Sequence, residues 1–337
     1  MLLITEFRNF LFLCGILKQT QFNIPVISVG NISTGGTGKS PMVDYLLKNL
    51  ASFNLATLSR GYGRKTNDFL EVLSTNSPLK VGDEPLMLKQ MNESVNVFVD
   101  TNRVNGINSI LQKYPHKNLI ILDDAFQHRY VKPNLSILLS TYQNPFYNDY
   151  ILPVGSLREM RKNVKRAQVI VITKCPVLSN SEIELITKNC KRYTNAKIYF
   201  STLHYSTPVA LFSNTEPPQN NTSVLLVTGI ANSTSLEVHC KSTYKSIKQI
   251  NFNDHHNYTF NDFATISQNF DSFASQNKII LTTQKDAVKW LDADEKSLEI
   301  LKKLPIYYQP IQLQIQNNET EFIQLVQQYV RTTQPNS

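Results

Sequence analysis

A glycine-rich stretch near the amino terminus combines the residue types that bind phosphate. The sequence GNISTGGTGKSP spans residues 30–41 and follows the apolar run PVISV at 25–29. That run is short, uncharged and rich in β-branched residues, which predicts a buried parallel strand. Apolar residues from Val43 to Leu50 then recur at the spacing of one helix face. A glycine turn between a strand and a helix presents free N–H groups and the positive end of the helix dipole, so it predicts an anion site.

The side chains of this phosphate loop indicate a nucleotide. Lys39 supplies a charge for a β- or γ-phosphate, and the Ser40 hydroxyl is a ligand for Mg²⁺. The strict phosphate-loop pattern has glycine where this chain has Ser33, and partitioning-type ATPases have a signature lysine where it has Thr34. A partitioning or targeting ATPase switch is the alternative to an enzyme, and the missing lysine at position 34 argues against it. The predicted nucleotide-binding residues are Gly35, Gly36, Thr37, Gly38, Lys39 and Ser40.

Two carboxylates follow another apolar run. NLIIL at 118–122 predicts a strand, and Asp123 and Asp124 come directly after it. In phosphate-loop proteins, carboxylates at the carboxyl end of such a strand serve Mg²⁺. The other interpretation is that they cap the following turn or helix. With the glycine loop present, we predict Ser40, Asp123 and Asp124 as the magnesium ligands.

Two further stretches admit more than one interpretation. RGYGRKTND, at 60–68, could contact sugar or phosphate, or it could be an ordinary surface turn. In VGDEP, at 81–85, Asp83 could be a catalytic base or a helix cap.

Histidines and basic residues later in the chain also have more than one interpretation. His255 and His256 are adjacent, and no third ligand lies at the spacing of a zinc site, so zinc binding is not predicted. The functional alternative is that one of these histidines contacts a carboxylate. LREMRKNVKR, at 157–166, would present a basic stripe if it were helical. That stripe would be either solvated or beside phosphate or an anionic bilayer.

Neither TKCP at 173–176 nor TTQK at 282–285 has the Asn-Lys-x-Asp spacing of guanine-reading loops, which favours ATP over GTP as the nucleotide.

Alternating strand and helix patterns position these residues. The first series of strands predicts a parallel sheet covered on both faces, and a second series predicts a smaller α/β domain. Segments 199–205 and 306–315 are expected to pair as a two-stranded hinge, with a helix from 317 to 331 and a frayed tail. The predicted strands are 25–29, 55–58, 95–99, 119–122, 135–139 and 169–173, followed by 223–228, 244–252 and 278–283.

Composition limits the class of protein. The chain has 337 residues, a hydrophobic fraction of 41% and a net charge of +8, which is typical of a globular protein with an acidic partner. Four separated cysteines suggest neither a disulfide framework nor a zinc cluster, so a reducing cytoplasm fits best. A nucleic-acid partner is not predicted, because no reader motif accompanies the charge.

Residues 1–20 form a predicted amphipathic helix. Its apolar stripe contains Leu3, Phe7, Phe10, Cys14 and Leu17, and its uninterrupted apolar run is too short to span a bilayer. Glu6, Arg8 and the missing cleavage site argue against a signal peptide. From the residues alone, an interfacial helix and a core helix remain equal alternatives.

Seven stretches occur in an order that resembles one family. GNISTGGTGKSP, SRGYGR, GDEP, ILDDAFQH, LPVGSLRE, FNDHHNY and TTQKDAVK are together similar to the tetraacyldisaccharide 4'-kinases of lipid A biosynthesis, over roughly residues 25–290. Ser40 stands where threonine is commoner, and Gln284 where glutamate is commoner.

The resemblance implies a reaction and a location. ATP would phosphorylate the 4'-hydroxyl of a tetraacylated glucosamine disaccharide 1-phosphate, with Mg²⁺, at the cytoplasmic face of the inner membrane. The helix of residues 1–20 would lie on the anionic membrane surface, so the protein would be peripheral, and no obligate protein partner is implied.

The resemblance also implies roles for individual residues. Asp83 would activate the acceptor hydroxyl, His255 would support it, and Lys39 would bind the transferred phosphate. The implied substrate contacts are Arg60, Tyr62, Arg103, Arg158 and Glu159.

These expectations divide the chain into four parts. A phosphate-loop kinase core would occupy 21–205, and the smaller α/β domain with its hinge strands would occupy 206–315. The membrane-interface helix precedes them at 1–20, and a C-terminal helix and tail follow at 316–337.

Overall fold

The computed structural model describes residues 2–212 and 216–333, which form two sheets with helices around them. The first sheet has nine strands in the order β14-β8-β7-β6-β1-β5-β2-β4-β3. All neighbours are parallel except the edge pairs β3 with β4 and β14 with β8. Its strands are β1 Val26–Asn31, β2 Leu55–Ser59, β3 Leu70–Val72, β4 Asn96–Val99, β5 Leu119–Asp123, β6 Leu135–Thr141, β7 Val169–Thr173, β8 Lys197–Tyr205 and β14 Ile311–Gln316.

The second sheet is smaller and has five strands in the order β11-β10-β12-β13-β9. Its first four strands are parallel, and β9 is antiparallel to β13. The predicted α/β architecture with a second, smaller α/β unit is therefore confirmed. The strands are β9 Val209–Ala210, β10 Ser223–Thr228, β11 Ser246–Asn251, β12 Lys278–Thr283 and β13 Ile306–Gln309.

Helices cover both faces of these sheets, as parallel strands require. α2 and α11 pack on one face of the first sheet, where Phe322 contacts the rings of Tyr45 and Tyr199. The helices are α1 Leu2–Leu13, α2 Lys39–Asn49, α3 Pro78–Val81, α4 Asp83–Met91, α5 Arg103–Lys113, α6 Asn180–Lys191, α7 Thr234–Thr243, α8 Phe260–Asp271, α9 Gln284–Leu291, α10 Glu295–Leu301 and α11 Glu319–Thr333.

The strand order determines where a site can form. β6, β7 and β8 extend from one side of β1, and β5, β2 and β4 extend from the other. Ligands of open α/β sheets bind beyond the carboxyl ends of the strands at such a reversal. The phosphate loop follows β1 at this point, and Asp123 ends the neighbouring β5.

The predicted hinge segment 306–315 is two strands rather than one. Pro310 separates β13, which belongs to the second sheet, from β14, which pairs antiparallel with β8 in the first. Proline has no N–H for a ladder hydrogen bond, so it marks the point where the chain leaves one sheet for the other. The predicted pairing of the hinge segments is correct for β14, which pairs with β8. It is wrong for β13, which pairs with β12, so the strands of the second sheet end before Pro310.

The amino-terminal helix is shorter than predicted. α1 ends at Leu13, and Gly15 follows with a φ of 73°, a left-handed conformation that ends a helix. Phe7, Phe10 and Cys14 of the predicted stripe are exposed, Leu17 is half-buried, and Leu3 lies outside the described side chains. Phe12 is buried against Tyr130, with the Arg129 guanidinium 4.8 Å from its ring centre. Within the described chain, no helix has both the length and the apolar content needed to cross a membrane.

The basic segment 157–166 does not form the predicted helical stripe. Only a 3₁₀ helix, Arg161–Arg166, is present, and Arg158 precedes it in a bend. Three residues per turn bring Arg166 back toward Glu159, with 2.6 Å between its NH2 and the glutamate Oε2. The cations at 158, 161, 162 and 166 do not share one face, because they contact, in that order, Asp124, the Asp149 carbonyl, Glu6 and Glu159.

Candidate active site

The phosphate loop has the backbone of an anion site. Gly38 caps α2 with φ 86° and ψ 28°, a left-handed conformation that glycine adopts without strain. The Asn31 side chain donates to Thr37 Oγ1 at 2.7 Å, and the Thr173 hydroxyl donates to the Thr37 carbonyl at 2.9 Å. Thr34 N donates to the Ser156 carbonyl at 2.8 Å, which holds the other end of the loop. These contacts hold the turn open toward a cleft.

The cations of the loop are paired only loosely. Lys39 Nζ and Arg158 NH2 each lie 3.7 Å from Asp124 Oδ1. Arg158 also donates to the Asn31 side-chain oxygen and, through its backbone, to the Ile32 carbonyl at 2.7 Å. Two cations sharing one half-exposed carboxylate are available to a more highly charged anion.

Asp123 and Glu84 add negative charge beside the loop. Asp123 is buried, and its Oδ1 has no hydrogen-bond partner. Burial raises the pKa of Asp123, and the nearby charges of Glu84 and Asp124 raise it further. Ser40 Oγ donates to Glu84 Oε2 at 3.2 Å. An unpaired buried carboxylate among other carboxylates is suited to a cation.

A second pair of titratable side chains joins the two sheets. Asp83 begins α4 beside the first sheet, and His255 follows β11 of the second. His255 Nδ1 lies 3.0 Å from Asp83 Oδ2, and the ring of Tyr62 lies 4.9 Å from the imidazole ring. Asp83 Oδ1 also accepts the Glu84 N–H at 2.9 Å, so Asp83 both starts the helix and contacts the histidine.

Two lysines of α9, one in its first turn and one in its last, surround this pair. Lys285 Nζ lies 3.1 Å from His255 Nε2 and 3.0 Å from Glu84 Oε1, and Lys289 Nζ lies 3.9 Å from Asp83 Oδ2. Burial raises the pKa of Asp83, but the His255 hydrogen bond and the charges of Lys285 and Lys289 lower it by more. Burial lowers the pKa of Lys285, and the carboxylates of Glu84, Asp83 and Asp254 raise it by more. Asp83 is therefore anionic and Lys285 cationic at neutral pH.

Lys285 determines which nitrogen of His255 carries a proton. An ammonium group has donors and no acceptor, so Nε2 must offer its lone pair to Lys285. The proton of the neutral imidazole is then on Nδ1, which donates to Asp83. Two of the roughly four acceptor positions of the Asp83 carboxylate are used, which leaves room for a substrate hydroxyl.

The phosphate loop and this charged network line one cleft of about 460 Å³. Its walls come from both sheets and include Glu84, His255 and Lys285 beside the loop, with Leu203 and Leu236 farther along. A wider depression of about 590 Å³ lies between α6 and α11. Its Lys191 and Lys197 are held by carbonyl oxygens and by Glu321, so the chemistry belongs to the first cleft.

The family of tetraacyldisaccharide-1-P 4'-kinases matches residues 1–331. The chain belongs to this family. A tetraacyldisaccharide 4'-kinase from Bacteroides thetaiotaomicron is 38% identical over 98% of this chain and 90% of its own length. One from Flavobacterium psychrophilum is 38% identical, with 99% and 95% covered. The crystal structure of LpxK from Aquifex aeolicus in complex with ATP matches with a TM-score of 0.73 and 26% identity, covering 97% of this chain and 95% of that one.

Membership of the 4'-kinase family makes this chain an enzyme. The partitioning-type switch considered from the phosphate loop is therefore set aside. Thr34, where that class has its lysine, uses its amide and its hydroxyl on the Ser156 carbonyl.

Two residues predicted to contact the substrate of this kinase lie elsewhere. Glu159 is fully enclosed and accepts hydrogen bonds from Arg166, Asn163 and Asn9 of α1. Arg103 is buried at the start of α5, donates to the carbonyls of residues 100 and 101, and has its pKa lowered to about 10 by burial. Glu159 therefore holds α1 through Asn9. The positive charge of Arg103 interacts with the carboxylates of Asp123 and Asp124. Direct substrate contact by either is not supported by its position.

The other predicted substrate residues are near the cleft of the 4'-kinase. Arg158 and Tyr62 line it, and Arg60 is exposed at the end of β2. Lys285 and Lys289 were not predicted as site residues, although they lie in the quoted TTQKDAVK stretch. Their spacing of four residues in a short helix after a strand was the available signal, since it puts both on one helix face.

Proposed function

We propose that this protein transfers the γ-phosphoryl group of ATP to the 4'-hydroxyl of a tetraacylated glucosamine disaccharide 1-phosphate in lipid A biosynthesis. One observation carries the proposal: His255, from the second sheet, lines the same cleft as the phosphate loop of the first sheet and lies 3.0 Å from Asp83 at the start of α4. The family match and the ATP complex of the Aquifex aeolicus relative support the same reaction.

The phosphate loop binds the nucleotide. Amides of residues 35–40 and the Lys39 ammonium hold the β- and γ-phosphates, and Arg158 neutralises charge that develops on the transferred group. Both cations exchange their 3.7 Å contacts with Asp124 for the more highly charged phosphates. Phosphoryl transfer depends mainly on such positioning and charge neutralisation.

The carboxylates beside the loop fit Mg²⁺. Asp123 has an unpaired, enclosed oxygen, and Ser40 and Asp124 are its neighbours around the loop. Among the residues that the structure describes, no group of three or more His, Cys, Asp or Glu side chains could hold a metal ion. Ser40, Asp123 and Asp124 would hold Mg²⁺, which would supply charge neutralisation for the phosphoryl transfer.

Asp83 aligns the acceptor hydroxyl and receives its proton. It is anionic, and His255 fixes the orientation of its carboxylate from the opposite sheet. Because this arrangement needs both sheets, movement about the β8–β14 pair would open the site and closure would exclude water. The moving parts in this proposal are the predicted kinase core at 21–205 and the predicted smaller domain at 206–315, without β14, which pairs with β8 of the core.

The exposed face of α1 contacts the membrane in which the acceptor resides. Phe7, Phe10 and Leu13 are 56% to 69% exposed on a helix whose opposite face holds Phe12 in the protein. Such a helix lies in the interface plane and attaches reversibly. We assign the protein to the cytoplasmic face of the inner membrane as a peripheral enzyme.

Phosphate transfer from radiolabelled ATP to the purified acceptor lipid in detergent tests the proposed reaction. Labelled lipid should form with wild type and Mg²⁺, and chelation of the metal should stop it. Lys39→Ala should reduce transfer by 10² or more, since one positioned charge at the phosphates is lost. ATP consumption without labelled lipid would contradict the proposed acceptor.

A further inference from the structure

The connection after β6 carries a second group of exposed apolar side chains. In residues 150–155, here called the Tyr150 loop, Tyr150 is 63% exposed, Leu152 is 39% exposed and Val154 is 81% exposed. Single exposed apolar residues are common on protein surfaces, but three in one short loop indicate a contact surface.

The base of the Tyr150 loop is held by hydrogen bonds. Asp149 Oδ1 accepts the N–H groups of Tyr150 at 2.7 Å and Ser156 at 3.0 Å, and Leu157 N donates to the Tyr150 carbonyl at 2.9 Å. The loop is thus a closed turn whose apolar side chains stand out from a fixed base. Their exposure follows from this geometry.

Basic residues border the loop and connect it with α1. The Arg161 guanidinium lies 5.2 Å from the Tyr150 ring centre and donates to the Asp149 carbonyl. Lys162 is 66% exposed, with its Nζ 3.6 Å from Glu6 of α1, and Lys165 is exposed one turn later. Apolar side chains beside exposed cations match an anionic bilayer, whose headgroups attract the cations while its interface takes up the apolar groups.

The same loop is fastened to the phosphate loop. Ser156 accepts the Thr34 N–H, and Arg158 N donates to the Ile32 carbonyl at 2.7 Å. The position of the Tyr150 loop relative to a bilayer therefore determines the height of the phosphate loop above the lipid headgroups.

We propose that the Tyr150 loop inserts into the interface of an anionic phospholipid bilayer as a second anchor beside α1. The inference rests on the proposed function, in which the acceptor is a membrane lipid. Two anchors orient the cleft toward the headgroup layer, whereas a single helix would leave the protein free to rotate about it.

Sedimentation with vesicles of phosphatidylglycerol and phosphatidylethanolamine, without acceptor lipid, tests the loop in the full chain. Leu152→Asp with Val154→Asp should weaken binding at least tenfold, as should Phe7→Asp with Phe10→Asp in α1. Val238→Asp is the matched control, because Val238 is 61% exposed on α7 of the second unit and should leave binding unchanged. Circular dichroism and thermal unfolding establish that each variant is folded.

The outcomes separate the two proposals. Wild-type binding by the loop variant, with loss of binding by the α1 variant, overturns the second anchor and leaves the membrane role of α1 intact. Wild-type binding by both variants contradicts membrane attachment altogether.

A fluorescent variant measures insertion directly. Trp290 is the one tryptophan of the chain and is fully buried, so an indole introduced by Val154→Trp is the one that can reach lipid. Its emission should shift to shorter wavelength with vesicles and be quenched by brominated acyl chains. Emission that vesicles leave unchanged would overturn the inference.

Discussion

Asp83 has two contacts that give it different functions. Its Oδ1 accepts a backbone N–H at the start of α4, and its Oδ2 contacts His255. Gly82 is the N-cap of α4 and no side chain caps the helix, so the cap interpretation of Asp83 is wrong; its contact with His255 is compatible with the proton acceptor.

Replacing Asp83 separates binding of ATP from transfer. Asp83→Ala should lower the rate of transfer by roughly 10²-fold or more, the range for a positioned proton acceptor. Binding of ATP should persist, because the phosphate loop is untouched. Calorimetry with Mg·ATP and a single-turnover assay measure the two quantities, and turnover equal to wild type would exclude Asp83 from the mechanism.

Lys285 is expected to act through His255. Lys285→Met removes the donor at Nε2, so the imidazole should no longer be confined to the Nδ1–H tautomer, and kcat should fall at least tenfold with little change in KM for ATP. Nitrogen-15 NMR of the histidine ring reports the tautomer. Lys241→Met is the matched control, since Lys241 pairs with Glu237 on the outer surface of α7. An unchanged tautomer in Lys285→Met would refute this role.

α1 has one face packed against the protein and one exposed face. Phe12 faces Tyr130 and Arg129, and Glu6 and Asn9 hydrogen-bond to Asn163 and Glu159. Phe10 lies on the opposite face and is exposed. One face of the helix is therefore part of the packed protein, and the other face is exposed.

The two faces of α1 should respond differently to truncation. Phe12→Ala should lower the free energy of unfolding by about 3 kcal/mol, because a buried aromatic ring is lost. Phe10→Ala should leave stability within about 0.5 kcal/mol. Chemical denaturation of both variants measures the difference, and equal effects would contradict the packing described for α1.

Contacts between the two sheets concentrate charge at the cleft. Asp83 and Glu84 come from α4, and Lys285 and Lys289 come from α9, so ion pairs hold the two units together where the chemistry occurs. Breaking such buried pairs costs more than breaking surface pairs, because the remaining charge loses its partner.

The stability of this junction should depend on pH. Burial raises the pKa of Asp83, but His255, Lys285 and Lys289 lower it by more, so its folded pKa lies below the unfolded value near 4. Such a group stabilises the fold at pH above that unfolded value, and the stabilisation disappears as pH falls through the folded pKa. Asp83→Asn should therefore cost roughly 1 to 3 kcal/mol at pH 7 and progressively less below about pH 4.

Unfolding of Asp83→Asn and wild type at several pH values tests this dependence. The difference between the two proteins should narrow on acidification. A difference that stays constant from pH 7 to pH 3 would show that the charge of Asp83 does not stabilise the junction.

Local patterns alone predicted much of this protein. The strand, glycine turn and helix around Lys39 follow from residues close together in the chain, and so do the order and type of most strands. Apolar periodicity and turn chemistry act over a few residues, which is why they can be read without a structure. The short edge strand β3 was missed, because three residues carry too little pattern.

Local patterns did not show which charged residues meet: the Asp83–His255 pair was expected only from the family resemblance, and the contacts of Lys285 and Lys289 came from the tertiary structure. Asp83 and His255 are 172 positions apart, and Glu84 and Lys285 are 201 positions apart, so no local pattern pairs them. Burial of Glu159 under α1, and the division of 306–315 between two sheets at Pro310, likewise depend on how distant segments pack. A sequence specifies side chains and their neighbours along the chain, whereas partners across a cleft are selected by the packing of whole sheets and helices.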